Sequence, residues 1–226
     1  MELSSQQKQL LLQTLLNMIS DQKLKLFDRV LDNRTRYLTL VLEDLYQPHN
    51  SSAVIRTAEC FGIQDIHIVE NSNAFQVNPE VAMGSTRWLD IYHYNQNENN
   101  SLDAIRKLKS LGYRIVATMP HSNQEELSNL DMNQKTALFF GTERKGLSKT
   151  VQENADLFVR IPMLGFTESF NISVSVALFL QQLTNKMRQE NSNWQLSEQE
   201  RMEIKLAWAK SVVKLSGSVE KKLFSK

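Results

Sequence analysis

Between residues 37 and 189 the chain keeps switching between short β-branched or aromatic runs and longer segments with helical apolar spacing. The short runs at 37–42, 65–69, 88–93, 113–118, 136–140 and 157–160 read as strands. Helices are expected from Pro48 to near Gly62, over about 101–111, near 148–155 and over roughly 171–189. In the first of these, Asn50 reads as a helix cap. Strands joined through helices run parallel, and the helices cover both faces of the sheet they form. The fold class is therefore α/β with a mainly parallel sheet.

The flanks have a different texture. Residues 3–31 hold Leu10, Leu11, Leu15, Met18, Ile19, Leu24, Phe27, Val30 and Leu31 with no Gly or Pro, which predicts one or two amphipathic helices. Residues 191–197 are polar and read as a linker, and an amphipathic helix is expected over about 197–215. The chain thus divides into a helical extension (1–36), an α/β domain (37–189) and a second helical extension (190–226). Net charge is only +1, but residues 1–36 carry +2 and residues 186–226 carry +4 around a centre of −5. Basic ends around an acidic middle suit contact with phosphate, although ordinary solvated helix faces would give the same count.

Composition narrows the chemistry. A lone cysteine, Cys60, excludes an internal disulfide and a thiolate-cluster zinc site. Its neighbours Ala58, Phe61 and Gly62 predict a buried thiol. Four scattered histidines have no metal-ligand spacing, so no metal is expected. No apolar run approaches the ~18 residues of a membrane span. The first residues lack the charged and apolar regions of a secretory signal, so a cytoplasmic, soluble protein is expected.

In open parallel sheets, ligands lie in the loops beyond the carboxyl ends of the strands. Four such loops have unusual composition. Leu45–Thr57 carries Asn50 and Arg56, which taken alone read most simply as a cap and a solvent-reaching side chain. Ala117–His121 joins small residues to a proline at a strand end. Phe139–Ser148 carries Gly141, Glu143 and Gly146 around a strand-to-helix turn. It is neither a P-loop nor a dinucleotide fingerprint, because spacing and position are wrong. Ile161–Ala177 is a long loop closing on a helix that starts with Ser169, Asn171 and Ser173, beside apolar Met163, Leu164 and Phe170. Such a mixture suits a ligand that is part apolar and part polar.

Three segments in order carry a resemblance: Pro48-His49-Asn50 through Arg56-Thr57, Gly141-Thr142-Glu143 through Gly146-Leu147, and Ile161-Pro162-Met163 through Asn171-Ile172-Ser173-Val174. Together they resemble the three motifs of the SpoU family, within the SPOUT superfamily of RNA methyltransferases, over about residues 37–186. The resemblance implies a sheet whose C-terminal part is threaded into a deep trefoil knot, an exception to the rule against knotted chains. It also implies that the knot binds S-adenosylmethionine and that two protomers dimerise beside it. Carried onto this chain, Thr118, Ile161 and Phe170 would contact the cofactor, with backbone of Gly141 and Met163 nearby. Asn50, Arg56, Glu143, Ser169 and Asn171 stand at the family's functional polar positions. The chain departs from close relatives at Phe170, where leucine is common, and at Thr142 and Glu168, where glutamine is common. Those departures bear on cofactor packing.

The implied reaction is methyl transfer to a ribose 2′-hydroxyl, with Arg56 central and Asn50 assisting. A guanidinium is too basic to act comfortably as a proton acceptor, so stabilising the developing alkoxide suits it better. The short helical N-terminus and a C-terminal helix bearing Trp194 and Trp208 resemble family members that modify guanosine 18 in the D-loop of tRNA. On that reading Lys205, Lys210, Lys214, Lys221 and Lys222 meet phosphate. Alternatively, Trp208 packs in a core and the lysines only solubilise. Ribosomal RNA as acceptor, another tRNA site and a non-catalytic RNA-binding relative remain the other readings.

Overall fold

The computed structural model describes residues 3–120, 125–142, 145–190 and 193–224. They fall into two compact units, Met1–Arg34 with Gln195–Lys226, and Thr35–Trp194. The flanking segments thus belong to one helical unit, although they lie at opposite ends of the chain.

The larger unit is built on a seven-stranded sheet. In chain order its strands are β1 (Leu38–Glu43), β2 (Asp65–Val69), β3 (Asp90–Tyr94), β4 (Arg114–Thr118), β5 (Glu125–Glu126), β6 (Thr136–Phe140) and β7 (Leu157–Arg160). Their spatial order is β3-β2-β1-β6-β4-β7-β5, and every pairing is parallel. The expected strands are all present, and β5 is an addition too short and too charged to leave a periodic signal. β6 sits between β1 and β4, pairing Leu42 with Phe140 on one side and Ala117 with Phe139 on the other.

Alternate residues of each strand leave opposite faces of the sheet. Leu38, Leu40 and Leu42 of β1, with Ile66, Ile68, Leu138 and Phe140, join one core. Helix α3 (Pro48–Cys60) closes it with Val54, Ile55 and Ala58, and the long C-terminal helix of this unit (Ile172–Gln189) adds Val176, Phe179, Leu180 and Leu183. Val41, Ile115, Ala117, Ala137 and Phe139 join the second core, where Ala104, Ile105 and Leu108 from a helix at Asn100–Ser110 pack. β1, β2 and β6 are buried along their whole length, as strands covered by helices on both faces are.

Two local expectations change. Pro48 takes the first helical position of α3 and Gln47 the cap, so Asn50 lies inside the first turn. Cys60 is exposed. α3 buries Val54, Ile55 and Ala58, and a residue two places beyond Ala58 falls off that stripe.

The smaller unit contains α1 (Ser5–Leu16), α2 (Asp21–Leu31) and two C-terminal helices at Glu198–Val212 and Ser216–Phe224. The Ser4–Gln7 and Ser197–Glu200 pairs each form a reciprocal capping box. Trp208 is 2% exposed, meets Phe27 edge-on at 5.4 Å between ring centroids and carries Arg34 over its face. Trp194 belongs to the larger unit, packed on the first core beneath Arg188. Both tryptophans therefore act in packing. Lys205 pairs with Asp28 and Lys210 with Glu220. Among the described residues, no helix is long and apolar enough to cross a membrane.

One buried group makes the larger unit pH-sensitive. His67 on β2 stacks on Tyr92 at 4.9 Å between ring centroids, and its Nδ1 lies 3.0 Å from the Tyr94 hydroxyl. Burial disfavours the imidazolium and pulls its pKa down from 6.5 to about 4. The unfolded chain therefore binds a proton that the folded chain refuses between these values. His67 contributes stability in full above pH 6.5, and loses it as the pH falls towards 4. The cost reaches roughly 3 kcal/mol at the acid end. Guanidinium unfolding from pH 7 to 4 should show a shallower decline for His67→Gln than for wild type; parallel profiles would exclude His67 as the source.

Candidate active site

The carboxyl ends of β1, β6, β4 and β7 lie side by side, so four loops meet at one edge of the sheet. A cleft of about 370 Å³ opens between the loops after β4, β6 and β7. Thr118, Gly141, Ile161, Met163, Ser169 and Phe170 all line it. These six residues come from strand ends and loops up to 52 positions apart in sequence, and the fold brings them to one cavity. Thr118 donates its hydroxyl to the carbonyl of Phe139 at 2.8 Å, which leaves its oxygen able to accept.

The glycine turn forms one wall. Thr142 and Gly146 exchange two backbone hydrogen bonds, of 3.1 and 2.9 Å, and the chain doubles back over Gly141. A Cβ on Gly141 would lie 2.3 Å from both the carbonyl carbon and oxygen of Gly146. Only glycine permits that approach. Glu143, expected among the functional residues, lies outside the described residues.

A second cleft, of about 390 Å³, lies under the loop after β1. Asn50, Asp44 and Tyr46 line it, and it shares Thr142, Lys145, Gly146, Leu147 and Ile172 with the first. The two cavities thus stand on either side of the glycine turn. Asn171 caps the helix Ile172–Gln189 by accepting the Ser173 N–H at 2.9 Å, and its Nδ2 donates to Asn50 Oδ1 at 3.2 Å. Asn50 in turn donates to Gln47 Oε1 at 2.9 Å. The first and third motifs are therefore joined directly.

Arg56 is not gathered in. It is exposed and lines neither cleft. Six residues after Asn50 on the same helix, it leaves the axis roughly 120° away from it.

Residues without a sequence signal also matter here. Glu43 ends β1, is 2% exposed, and accepts the Ser148 N–H at 2.7 Å and the Ser148 hydroxyl at 2.6 Å, with a short bond from the Ser101 hydroxyl. Its only hint was an acid closing an apolar strand. Arg160, in the first cleft, has a buried Nε with no hydrogen-bond partner among the described residues. Its Nη2 stands 3.8 Å from Glu126 Oε1. No group of His, Cys, Asp and Glu among the described residues is arranged to hold a metal ion.

The model of the SpoU rRNA Methylase family matches residues 37–181, which covers both clefts. The chain belongs to this family. It is 44% identical, over 87% of its length and 88% of the relative's, to a Borreliella burgdorferi protein named tRNA (guanosine(18)-2′-O)-methyltransferase. An Escherichia coli protein of the same name is 30% identical over 76% of each chain. The crystal structure of the Aquifex aeolicus TrmH/SpoU tRNA modifying enzyme superposes with a TM-score of 0.76 at 26% identity, covering 86% of this chain and 98% of that one.

Gly141→Ala should open the turn between the two clefts. Affinity for S-adenosylmethionine, measured by calorimetry on protein with an intact circular dichroism spectrum, is expected to fall at least about tenfold. Unchanged affinity would mean that this wall does not shape the cofactor cleft.

Proposed function

We propose that this chain transfers a methyl group from S-adenosylmethionine to the 2′-hydroxyl of guanosine 18 in the D-loop of tRNA. The observation that carries this reading is the gathering of Thr118, Gly141, Ile161, Met163, Ser169 and Phe170 around one cleft, with a second cleft across a shared wall. The choice of tRNA is supported by the names of the relatives that match most of the chain.

The first cleft fits the donor in size and chemistry. Cavities of roughly 300–1,000 Å³ hold ligands of this class. Apolar Ile161, Met163 and Phe170 suit the adenosine, and the positive charge of Arg160 suits a carboxylate. S-adenosylmethionine bound there supplies an activated sulfonium methyl group. The chain's own residues then have to align the ribose oxygen with that methyl group and favour loss of the hydroxyl proton. The Asn50–Asn171 pair supplies amide groups at the boundary of the two clefts, fixed by the Ser173 cap and by Gln47. They orient the ribose, with Ser169 beside the donor. Arg56 contributes positive charge towards the developing alkoxide or a neighbouring phosphate. Glu143 is assigned to the same polar set on the family motif.

The strand order, with β6 between β1 and β4 and the long loop 161–171 after β7, is compatible with the trefoil knot that we infer for the C-terminal part. We also infer a homodimer. Val174 and Leu178 are 44% and 40% exposed on one face of the helix Ile172–Gln189, and Leu164 and Phe166 are fully exposed in the preceding loop. Such a cluster marks an association surface. Because Arg56 lies outside both clefts of its own chain, association beside this helix is the natural way to complete the site. We assign the helical unit to tRNA phosphate. Lys25, Lys214, Lys221 and Lys222 are its exposed lysines without a carboxylate partner among the described residues.

Labelled methyl groups should pass to an unmodified tRNA transcript and not to one with 2′-deoxyguanosine at position 18. Arg56→Ala is expected to abolish turnover while binding of S-adenosylmethionine survives. Labelling of ribosomal RNA fragments instead would overturn the acceptor, and full turnover by Arg56→Ala would overturn its role. In sedimentation, wild type should run as a dimer and Leu178→Glu as a monomer; a monomeric wild type would refute the association.

A further inference from the structure

We propose that the second cleft receives the acceptor nucleoside, with Tyr46 stacking on the base and Asp44 selecting guanine; this rests on the functional reading above. Tyr46 is 77% exposed, yet it lines a cavity rather than an open surface. It stands in the short loop between β1 and α3, next to Gln47 and the rigid Pro48. An aromatic ring held at the mouth of a cleft is the usual platform for a base taken out of its stack. The cleft shares the glycine turn with the donor cleft, and Asn50 lies in its lining. A nucleoside seated there has its ribose near the amide pair and its base towards the β1 loop.

Asp44 is built as a fixed acceptor. Its backbone is left-handed, with φ 55°, a conformation that costs a non-glycine residue energy and persists only where the surroundings enforce it. The enforcement is visible. Asp44 Oδ1 accepts the N–H groups of Asn71, Ser72 and Asn73 at 2.8, 2.7 and 3.2 Å. Its N–H donates to the Val69 carbonyl at 2.9 Å, and its carbonyl accepts Asn73 Nδ2 at 2.9 Å. Oδ2 takes no hydrogen bond among the described residues, so the half-buried carboxylate keeps one oxygen uncommitted in the lining of the cleft. Guanine offers N1–H and N2–H₂ donors on its Watson–Crick edge, whereas adenine offers an acceptor at N1. A carboxylate oxygen therefore accepts from guanine N1–H, but at the same place meets the N1 lone pair of adenine, whose one donor on that edge is N6–H₂.

The test compares tRNA transcripts with guanosine or adenosine at position 18. Tyr46→Ala should raise KM for the guanosine transcript at least about tenfold, with Kd for S-adenosylmethionine unchanged and Tyr46→Phe close to wild type. Asp44→Asn keeps an oxygen for the three N–H groups and replaces the free acceptor with a donor. It should narrow the guanosine-over-adenosine preference in kcat/KM by about tenfold or more. With an active wild type, unchanged KM in Tyr46→Ala or unchanged preference in Asp44→Asn overturns this assignment alone. A wild type inactive on the guanosine transcript overturns the functional reading and this inference with it.

Discussion

The carboxyl edge of the sheet depends on the Glu43 side chain. A carboxylate buried this deeply is costly unless its oxygens are satisfied. Here Oε2 takes the Ser148 N–H and Oε1 takes the hydroxyls of Ser148 and Ser101. Two segments far apart in sequence are thereby pinned to the end of β1. One is the start of the helix Asn100–Ser110, and the other is the cap of the short helix Lys149–Asn154. The loop that carries the glycine turn between the two clefts ends at Ser148, so the wall they share hangs on this one charge.

The polar groups around the clefts are joined to one another rather than left to solvent. Asn171, Asn50 and Gln47 form a chain from the long helix to the β1 loop. Asp44 carries the next segment, 71–73, on its side chain. This pre-organisation matters for methyl transfer, where the donor is already activated and geometry is the main thing a protein can add. It also explains why residues from the first and third motifs act at one place, although 121 positions separate Asn50 from Asn171.

Much of the fold was legible because its central strands are buried on both faces. β2, β6 and β7 have the expected bounds, the helices of the α/β domain differ by a residue or two, and the expected helix 197–215 ends three residues earlier, at Val212. Pairing was not legible, since nothing in the run 136–140 announces that it inserts between β1 and β4. Single-residue errors have local causes. A proline outcompetes asparagine for the start of α3, and a helical stripe decides which neighbour of Ala58 is buried. The residues gathered around the first cleft could be anticipated through motifs. Those of the second could not, because Asp44 and Tyr46 sit in a short connection with no periodicity, and their setting comes from segments folded against them. The lysines divide for a similar reason: Lys205 and Lys210 have carboxylate partners that only tertiary structure supplies.

The central place of β6 also sets an order of events. β1 and β4 emerge before it during synthesis, and each lacks the neighbour that β6 supplies until residues 136–140 arrive. Until then the β3-β2-β1 half ends in an open edge at β1, and β4 stands unpaired, because its other neighbour, β7, follows later still. Contacts of such long sequence separation close slowly. The step that seats β6 also brings up the glycine turn that follows it directly, while the opposite wall of that cleft waits for β7 and the loop after it.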